Sequence, residues 1–253
     1  MFLAVDAGNS NIVLGIYDGG EWIQVWRIET EKDKGSDDYR AIFLSHFEQA
    51  DIPLETISGV MIASVVPHLT DHLQNALHEL TGIMPLILGH HTDSGISLEA
   101  DNPKEIGPDL IAGAVGAYHS TQDTCIVVDF GTATTLVAVE QPGRLTGGVI
   151  CAGLKITIDA LIGRTALLGD IPLRVPSKVL ATDTVGAMQS GLIRGHACMV
   201  EGLINKIKEE IGQAQVVATG GLAETLAPYI ESFDRVDPLL TLDGMRMIYD
   251  RRE

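Results

Sequence analysis

Residues 127–139 read VVDFGTATTLVAV, an apolar strand interrupted by Asp129, Phe130, Gly131 and three threonines and then resumed as a second strand. Asp129 and the hydroxyls of Thr132, Thr134 and Thr135 cost free energy if buried without partners, and a glycine at the bend marks close approach by a ligand or another backbone. A hairpin turn with its threonines on a solvated face reads the same residues without a ligand. The stretch gains weight because it occurs twice. Residues 2–19, FLAVDAGNSNIVLGIYDG, repeat the order of apolar strand, aspartate, glycine-containing polar turn and second apolar strand. Asp6 and Asp129 stand 123 positions apart (129 − 6), so each half of the chain opens on one hairpin. Internal repetition describes architecture. Here it predicts two similar domains, 1–115 and 116–253, with the boundary inside DLIAGAVGAYHS.

Between the hairpins, strands and helices alternate. EWIQVWRIET reads as a third strand, and Tyr39, Ile42, Phe43 and Phe47 share one helical face in DDYRAIFLSHFEQ. GVMIASVVP is a buried strand ended by Pro67, and Leu69, Leu73, Leu77 and Leu80 repeat at helical spacing before the strand PLILG. The second half repeats the plan with RLTGGVI as a strand, one long helix from about Thr184 to Ile211, the strand VVATGG, and helices over LAETLAPYI and TLDGMRMIY. Alternation of this kind favours a largely parallel sheet covered by helices after the opening hairpin.

The 253 residues are 45% hydrophobic and 20% charged, enough to bury a sizeable core in one large or two small domains. No apolar run reaches the roughly 18 residues a membrane span needs, and the start lacks the basic and apolar segments of a signal peptide. The expectation is a cytoplasmic protein with no membrane partner. Cys125, Cys151 and Cys198 are scattered and odd in number, the usage of thiols in a reducing compartment. His90 and His91 lack matching Cys/His spacing, so a polar loop after PLILG is preferred to zinc. With 34 acidic against 17 basic residues the net charge is −17, which disfavours a general nucleic-acid surface. Any phosphate site must be local, built from backbone N–H groups, helix amino termini or a bound metal ion.

Two such turns suit a nucleotide triphosphate. Gly8, Asn9 and Ser10 offer backbone and side-chain hydrogen bonds to phosphate oxygens, and Gly131, Thr132 and Thr134 offer the same from a second wall. Asp6 and Asp129 repel phosphate directly, so carboxylates there make sense as ligands of Mg²⁺, its waters or a monovalent cation.

At these residues the sequence resembles the superfamily of acetate kinase, sugar kinases, heat-shock-70 proteins and actin, and more closely the type III pantothenate kinases. The motifs are DAGNSN near the start, DNPKEIGPD at 101–109, DFGTATT at 129–135, GGVICAG at 147–153, DTVGAMQSG at 183–191, ATGG at 218–221 and VDPLLTLDGMRMIY at 236–249. The resemblance implies an α/β fold of two actin-like (ribonuclease H-like) domains, with mixed sheets facing an inter-domain nucleotide cleft. It implies ATP as donor, Mg²⁺ with K⁺ or NH₄⁺, and phosphorylation of pantothenate as the entry to coenzyme A synthesis. It also implies a homodimer. Carried onto this chain, it assigns Asp6, Gly8, Asn9, Ser10, Asn11, Gly131, Thr132 and Thr134 to the nucleotide and Asp129 to the metal. Asp109 becomes the carboxylate that orients or deprotonates the acceptor hydroxyl, with Gly107 and Thr184 on the acceptor. As a bare residue, Asp109 also reads as an N-cap of LIAGAVGAY, and Thr184 as a cap of the long helix.

Departures from the family pattern fall on the acceptor side. Its Gly-Ala-Asp-Arg is Gly107, Pro108, Asp109 and Leu110 here, and leucine cannot replace a charged donor fork. Ala100 stands where many members carry tyrosine, Asp183 where asparagine is usual, and Gly169 where proline is general. Arg164 or a residue of a second subunit is a candidate substitute for the missing arginine. These changes raise a second reading, a diverged nucleotide-binding paralog that is either a regulatory protein or a kinase of another small hydroxyl compound.

Overall fold

The computed structural model describes residues 1–163 and 172–252; Arg164 and Gly169 lie outside the described residues. The chain forms two compact units, Met1–Gly116 with Leu240–Glu253, and Ala117–Leu239. The sequence division assigns 240–253 to the second unit, whereas its contacts put it with the first.

In the first unit β1 (Phe2–Ala7), β2 (Asn11–Asp18) and β3 (Glu21–Glu29) form an antiparallel meander, and β4 (Gly59–Ser64) and β5 (Leu86–Ile87) extend it in parallel, giving the order β3-β2-β1-β4-β5. A two-residue strand, β6 (Ser97–Leu98), follows. Leu3, Val5 and Ala7 of β1, Ile12, Leu14 and Ile16 of β2, and Val60 and Ile62 of β4 pack with Tyr39, Phe43 and Phe47 of α1 (Ser36–Gln49) and Leu69, Leu73 and Leu77 of α2 (Pro67–Thr81). The period of two along a strand then turns Phe2, Ala4 and Asp6 to the opposite face.

That face is covered by the last helix, α8 (Leu240–Asp250), whose Leu242, Met245 and Ile248 are buried. Each such side chain contributes roughly 1.5–3 kcal/mol when taken from water, which is why 240–253 returns to the first unit. Small residues on the sheet let the helix come close. A Cβ on Gly59 would stand 2.6 Å from the Tyr249 hydroxyl, and one on Gly15 would stand 2.8 Å from Leu242 Cδ1. Trp22 Nε1 donates to Asp243 Oδ1 at 2.8 Å, and the Phe2 and Tyr249 rings lie 4.7 Å apart. Against α3 (Pro108–Thr121) the approach is closer still, because a Cβ on Gly244 would overlap the Ala112 carbonyl.

The second unit repeats the plan with β7 (Cys125–Phe130), β8 (Ala133–Glu140), β9 (Arg144–Ala152), β10 (Gln215–Thr219) and β11 (Arg235–Val236), in the order β9-β8-β7-β10-β11. The three opening strands are 6, 8 and 9 residues long in both units. Even the bulge recurs, between Ile16 and Tyr17 in one and between Ala138 and Val139 in the other. Ile126, Val128 and Phe130 pack on Leu154 and Ile158 of α4 (Leu154–Gly163) and on Ala197, Val200 and Ile204, leaving Asp129 on the other face.

The long helix expected from Thr184 is a helical run of two kinds. It consists of α5 (Thr184–Gln189), a π segment at Ser190–Arg194 and α6 (Gly195–Ile211). Glycines 186, 191 and 195 weaken α-helical propensity here. Polar side chains in and just before the π segment hold neighbouring chain: Gln189 Nε2 at the end of α5 donates to the Pro172 carbonyl at 2.9 Å, Ser190 Oγ to that of Val179 at 2.6 Å, and the Arg194 guanidinium to that of Pro176 at 2.7 Å. LAETLAPYI forms the short α7 (Ala223–Leu226) and a 3₁₀ turn at Ala227–Tyr229.

Gly244→Ala is expected to destabilise the protein by about 1–3 kcal/mol, the usual cost of overpacking. Urea unfolding with an unchanged Cm would refute the α3–α8 contact.

Candidate active site

Asp6 sits near the carboxyl end of β1, in register with Val13 of β2 and Ala63 of β4. Just beyond it the chain turns, with the Gly8 N–H donating to the Asn11 carbonyl at 2.9 Å. A Cβ on Gly8 would be 3.2 Å from that oxygen. The end of β3 ties the turn down on both sides: Thr30 N–H donates to the Ser10 carbonyl at 3.0 Å, and the Thr30 hydroxyl to the Gly8 carbonyl at 2.7 Å. Asn9 and Ser10 are exposed and Asn11 is half-buried, so the rim of the turn is open to an anion while its backbone is fixed.

Asp129 occupies the matching place in β7, opposite Thr135 of β8 and Thr219 of β10. Here the Gly131 N–H donates to the Ala133 carbonyl at 3.0 Å. Two glycines make the seat. Gly220 has φ +90°, and a Cβ there would overlap the Asp129 carboxylate; one on Gly153 would overlap the Thr132 carbonyl. Sequence reasoning quoted both glycines within family motifs without giving them a role. The visible signals are the Gly220–Gly221 pair and the lone Gly153 ahead of a helix, and the seat is a long-range fact.

The turn residues of the second unit divide. Gly131 is exposed and Thr132 half-buried, whereas Thr134 is 1% exposed and turned inward. Its hydroxyl shares a 2.9 Å hydrogen bond with Nε2 of His196, itself buried, and burial pulls the imidazole below the usual histidine range.

Asp109 lies in the first turn of α3, one residue after Pro108. The capping alternative takes another form here: its Oδ1 accepts from the adjacent Leu110 N–H at 2.8 Å. A Cβ on Gly107 would overlap this carboxylate. Burial pushes the Asp109 carboxyl above the ordinary aspartate range, and the backbone hydrogen bonds offset only part of that. Leu110 and Ala100 are half-buried. At α5 the cap is Asp183, whose Oδ1 accepts from Gly186 N–H at 2.8 Å, and Thr184 is exposed.

Among the described residues no three His, Cys, Asp or Glu side chains gather into a metal cage. Mg²⁺ beside a triphosphate needs none, since one or two carboxylates, phosphate oxygens and water complete its shell. Asp6 and Asp129, each beside a turn rich in N–H and hydroxyl groups, fit that requirement.

Two units with one strand order, each led by a hairpin with an aspartate beside its turn, define an actin-like α/β fold. The solved structure of MreB 5 of Spiroplasma citri bound to AMPPNP is similar in fold, with a TM-score of 0.59 at 10% identity, over 99% of this chain and 96% of that one. The family model for type III pantothenate kinase matches residues 2–206. Proteins named type III pantothenate kinase are 39% identical in Exiguobacterium sp. strain AT1b, over 100% of both chains, and 42% identical in Moorella thermoacetica, over 99% of both. The chain belongs to the type III pantothenate kinase family and is a phosphotransferase.

The raised Asp109 carboxyl gives a pH expectation. For Asp109 acting as a base, the ionised form would be the active one, and the acid limb of kcat/KM is then expected to report an apparent pKa above the roughly 3.9 of a free aspartate. The raised carboxyl also contributes stability that is full below the unfolded-state pKa and is lost as pH rises through the folded-state pKa. Thermal melts of Asp109→Asn are expected to lack that loss. Melts that track the wild type across this window would contradict the burial of the charge.

Proposed function

We propose that the chain transfers the terminal phosphoryl group of ATP to the hydroxyl of pantothenate, giving 4′-phosphopantothenate at the first step of coenzyme A synthesis. The observation that carries the substrate is the end-to-end match to relatives bearing that name, 39% and 42% identical. Those relatives lend nothing to the reading as a diverged nucleotide-binding paralog.

In this reading Gly8 and Gly131 close the two turns with their N–H groups, Asn9, Ser10 and Asn11 on one turn and Thr132 on the other receive phosphate oxygens, and the Asp6 carboxylate faces the cation or its waters. Asp129 holds Mg²⁺, with K⁺ or NH₄⁺ as the second cation, and these supply the charge that offsets the triphosphate. Thr134 supports its turn from beneath. Asp109 takes or orients the proton of the acceptor hydroxyl, Gly107 leaves room for that carboxylate, and Thr184 is assigned to the acceptor by the family pattern. Phosphoryl transfer gains chiefly from positioning and charge stabilisation, so a single base completes the set.

A coupled assay with ATP and pantothenate tests it. Asp109→Asn is expected to abolish transfer while ATP still binds, and Asp129→Asn to lose cation-dependent turnover while staying folded. Leu110→Arg is expected to lower the pantothenate KM, since a hydrogen bond to a charged group is worth roughly 1.5–3 kcal/mol. No phosphorylation of pantothenate by the wild type or by Leu110→Arg, with ATP still bound, would end the assignment.

We also propose a homodimer in the cytoplasm, joined through the helical run from Thr184. Val179, Leu180 and Val185 are 65%, 87% and 48% exposed, and a Cβ on Gly191, Gly195 or Gly202 would meet nothing within 4 Å. An apolar patch beside an exposed row of glycines suits the same run of a second copy. Sedimentation at micromolar concentration is expected to give a dimer that Leu180→Asp dissociates. A wild-type monomer with and without ATP would rule it out.

A further inference from the structure

The buried Thr134–His196 pair joins the β7–β8 turn to the helix behind it. Thr134 is where the chain leaves the turn, and it is paired with Phe130 across the two strands. Gly131, Thr132 and Ala133 are therefore the only backbone between two residues anchored in the core. Thr134 and His196 are 1% and 7% exposed, and their polar atoms meet at 2.9 Å. The Phe130 ring lies 6.1 Å from the imidazole and 6.0 Å from the Phe233 ring. From the other side the turn is held by the 3.0 Å Gly131–Ala133 bond and by Gly153, where a Cβ would overlap the Thr132 carbonyl.

We propose that His196 is a positioning residue for the nucleotide: through Thr134 it fixes the backbone of Gly131 and Thr132 in the geometry that receives phosphate oxygens. The inference rests on the assignment of this turn to ATP. Burial disfavours the imidazolium, so the ring serves Thr134 in its neutral form. The π segment ends at Arg194, two residues before His196, so the one extra residue it inserts sets the direction in which His196 points. Catalysis by preorganised N–H groups depends on this kind of support, because a donor that is free to move loses much of its value.

The test is calorimetric binding of a non-hydrolysable Mg·ATP analogue, with thermal melts and separate KM values for ATP and pantothenate. Thr134→Val and His196→Phe are expected to weaken analogue binding and raise the ATP KM roughly three- to tenfold, the scale of one lost hydrogen bond. The pantothenate KM stays unchanged. His196→Gln, which keeps a polar nitrogen near the Nε2 position, is expected to restore most of the affinity. The double variant Thr134→Val/His196→Phe is expected to bind no more weakly than either single one. If Thr134→Val and His196→Phe melt earlier yet bind the analogue with wild-type affinity, the pair is core packing only and the proposal is overturned. Should His196→Phe fail to fold, the near-isosteric Thr134→Val decides alone. Because the readout is analogue binding, it decides the positioning role even for a protein that transfers nothing to pantothenate.

Discussion

One backbone hydrogen bond closes the hairpin turn in each unit, Gly8 to Asn11 at 2.9 Å and Gly131 to Ala133 at 3.0 Å, and the rest of each unit is arranged around it. The bond fixes where the aspartate two residues earlier leaves the sheet. It turns the following polar groups outward, and it sets the register in which the second strand returns. The first turn holds residues 8–10 and the second holds 131–132, so the repeat separates the aspartates by 123 positions (129 − 6) and the bulges by 122 (138 − 16). The second turn is the tighter one, and it is the one propped from beneath by Thr134 and His196.

A chain with a net charge of −17 that handles a polyanion has to solve its electrostatics locally. In the proposed reading it does so with space as much as with charge. Asp109 and Asp129 each lie against a glycine whose missing side chain leaves room for the carboxylate, Gly107 and Gly220. An alanine at either place would push a charged group out of position without altering the charge. Burial leaves Asp109 a readier proton acceptor than an exposed aspartate, because its ionised form is the costly one.

The sequence discloses whatever is local. The apolar runs of FLAVDA and CIVVDF, leucines at helical spacing in α2, and an aspartate beside a glycine turn are each legible within a dozen residues, and together they lead to the fold and to the two turns. Thr134 shows where that reading stops. Its hydroxyl type suggested phosphate, but the parity of β8 turns it inward with Leu136, and its partner stands 62 positions away. Seats such as Gly220 beneath Asp129 belong to the same class, since nothing adjacent in sequence announces them. The π segment was hidden for another reason: one extra residue in a turn leaves the apolar pattern of a long helix almost intact.

The return of α8 has a consequence for the order in which the chain can acquire its structure during synthesis. The second unit is continuous in sequence, from Ala117 to Leu239, and has all its residues before Leu240 is added. The first unit begins earlier and is completed later. Until α8 emerges, the sheet face bearing Phe2, Gly15 and Gly59 lacks Leu242 and Tyr249 and stays open to water. Domains fold as units when their residues are available, so the half that is translated first is the half that closes last. A chain cut just before Leu240 would carry every residue of the second unit and lack the helix that closes the first.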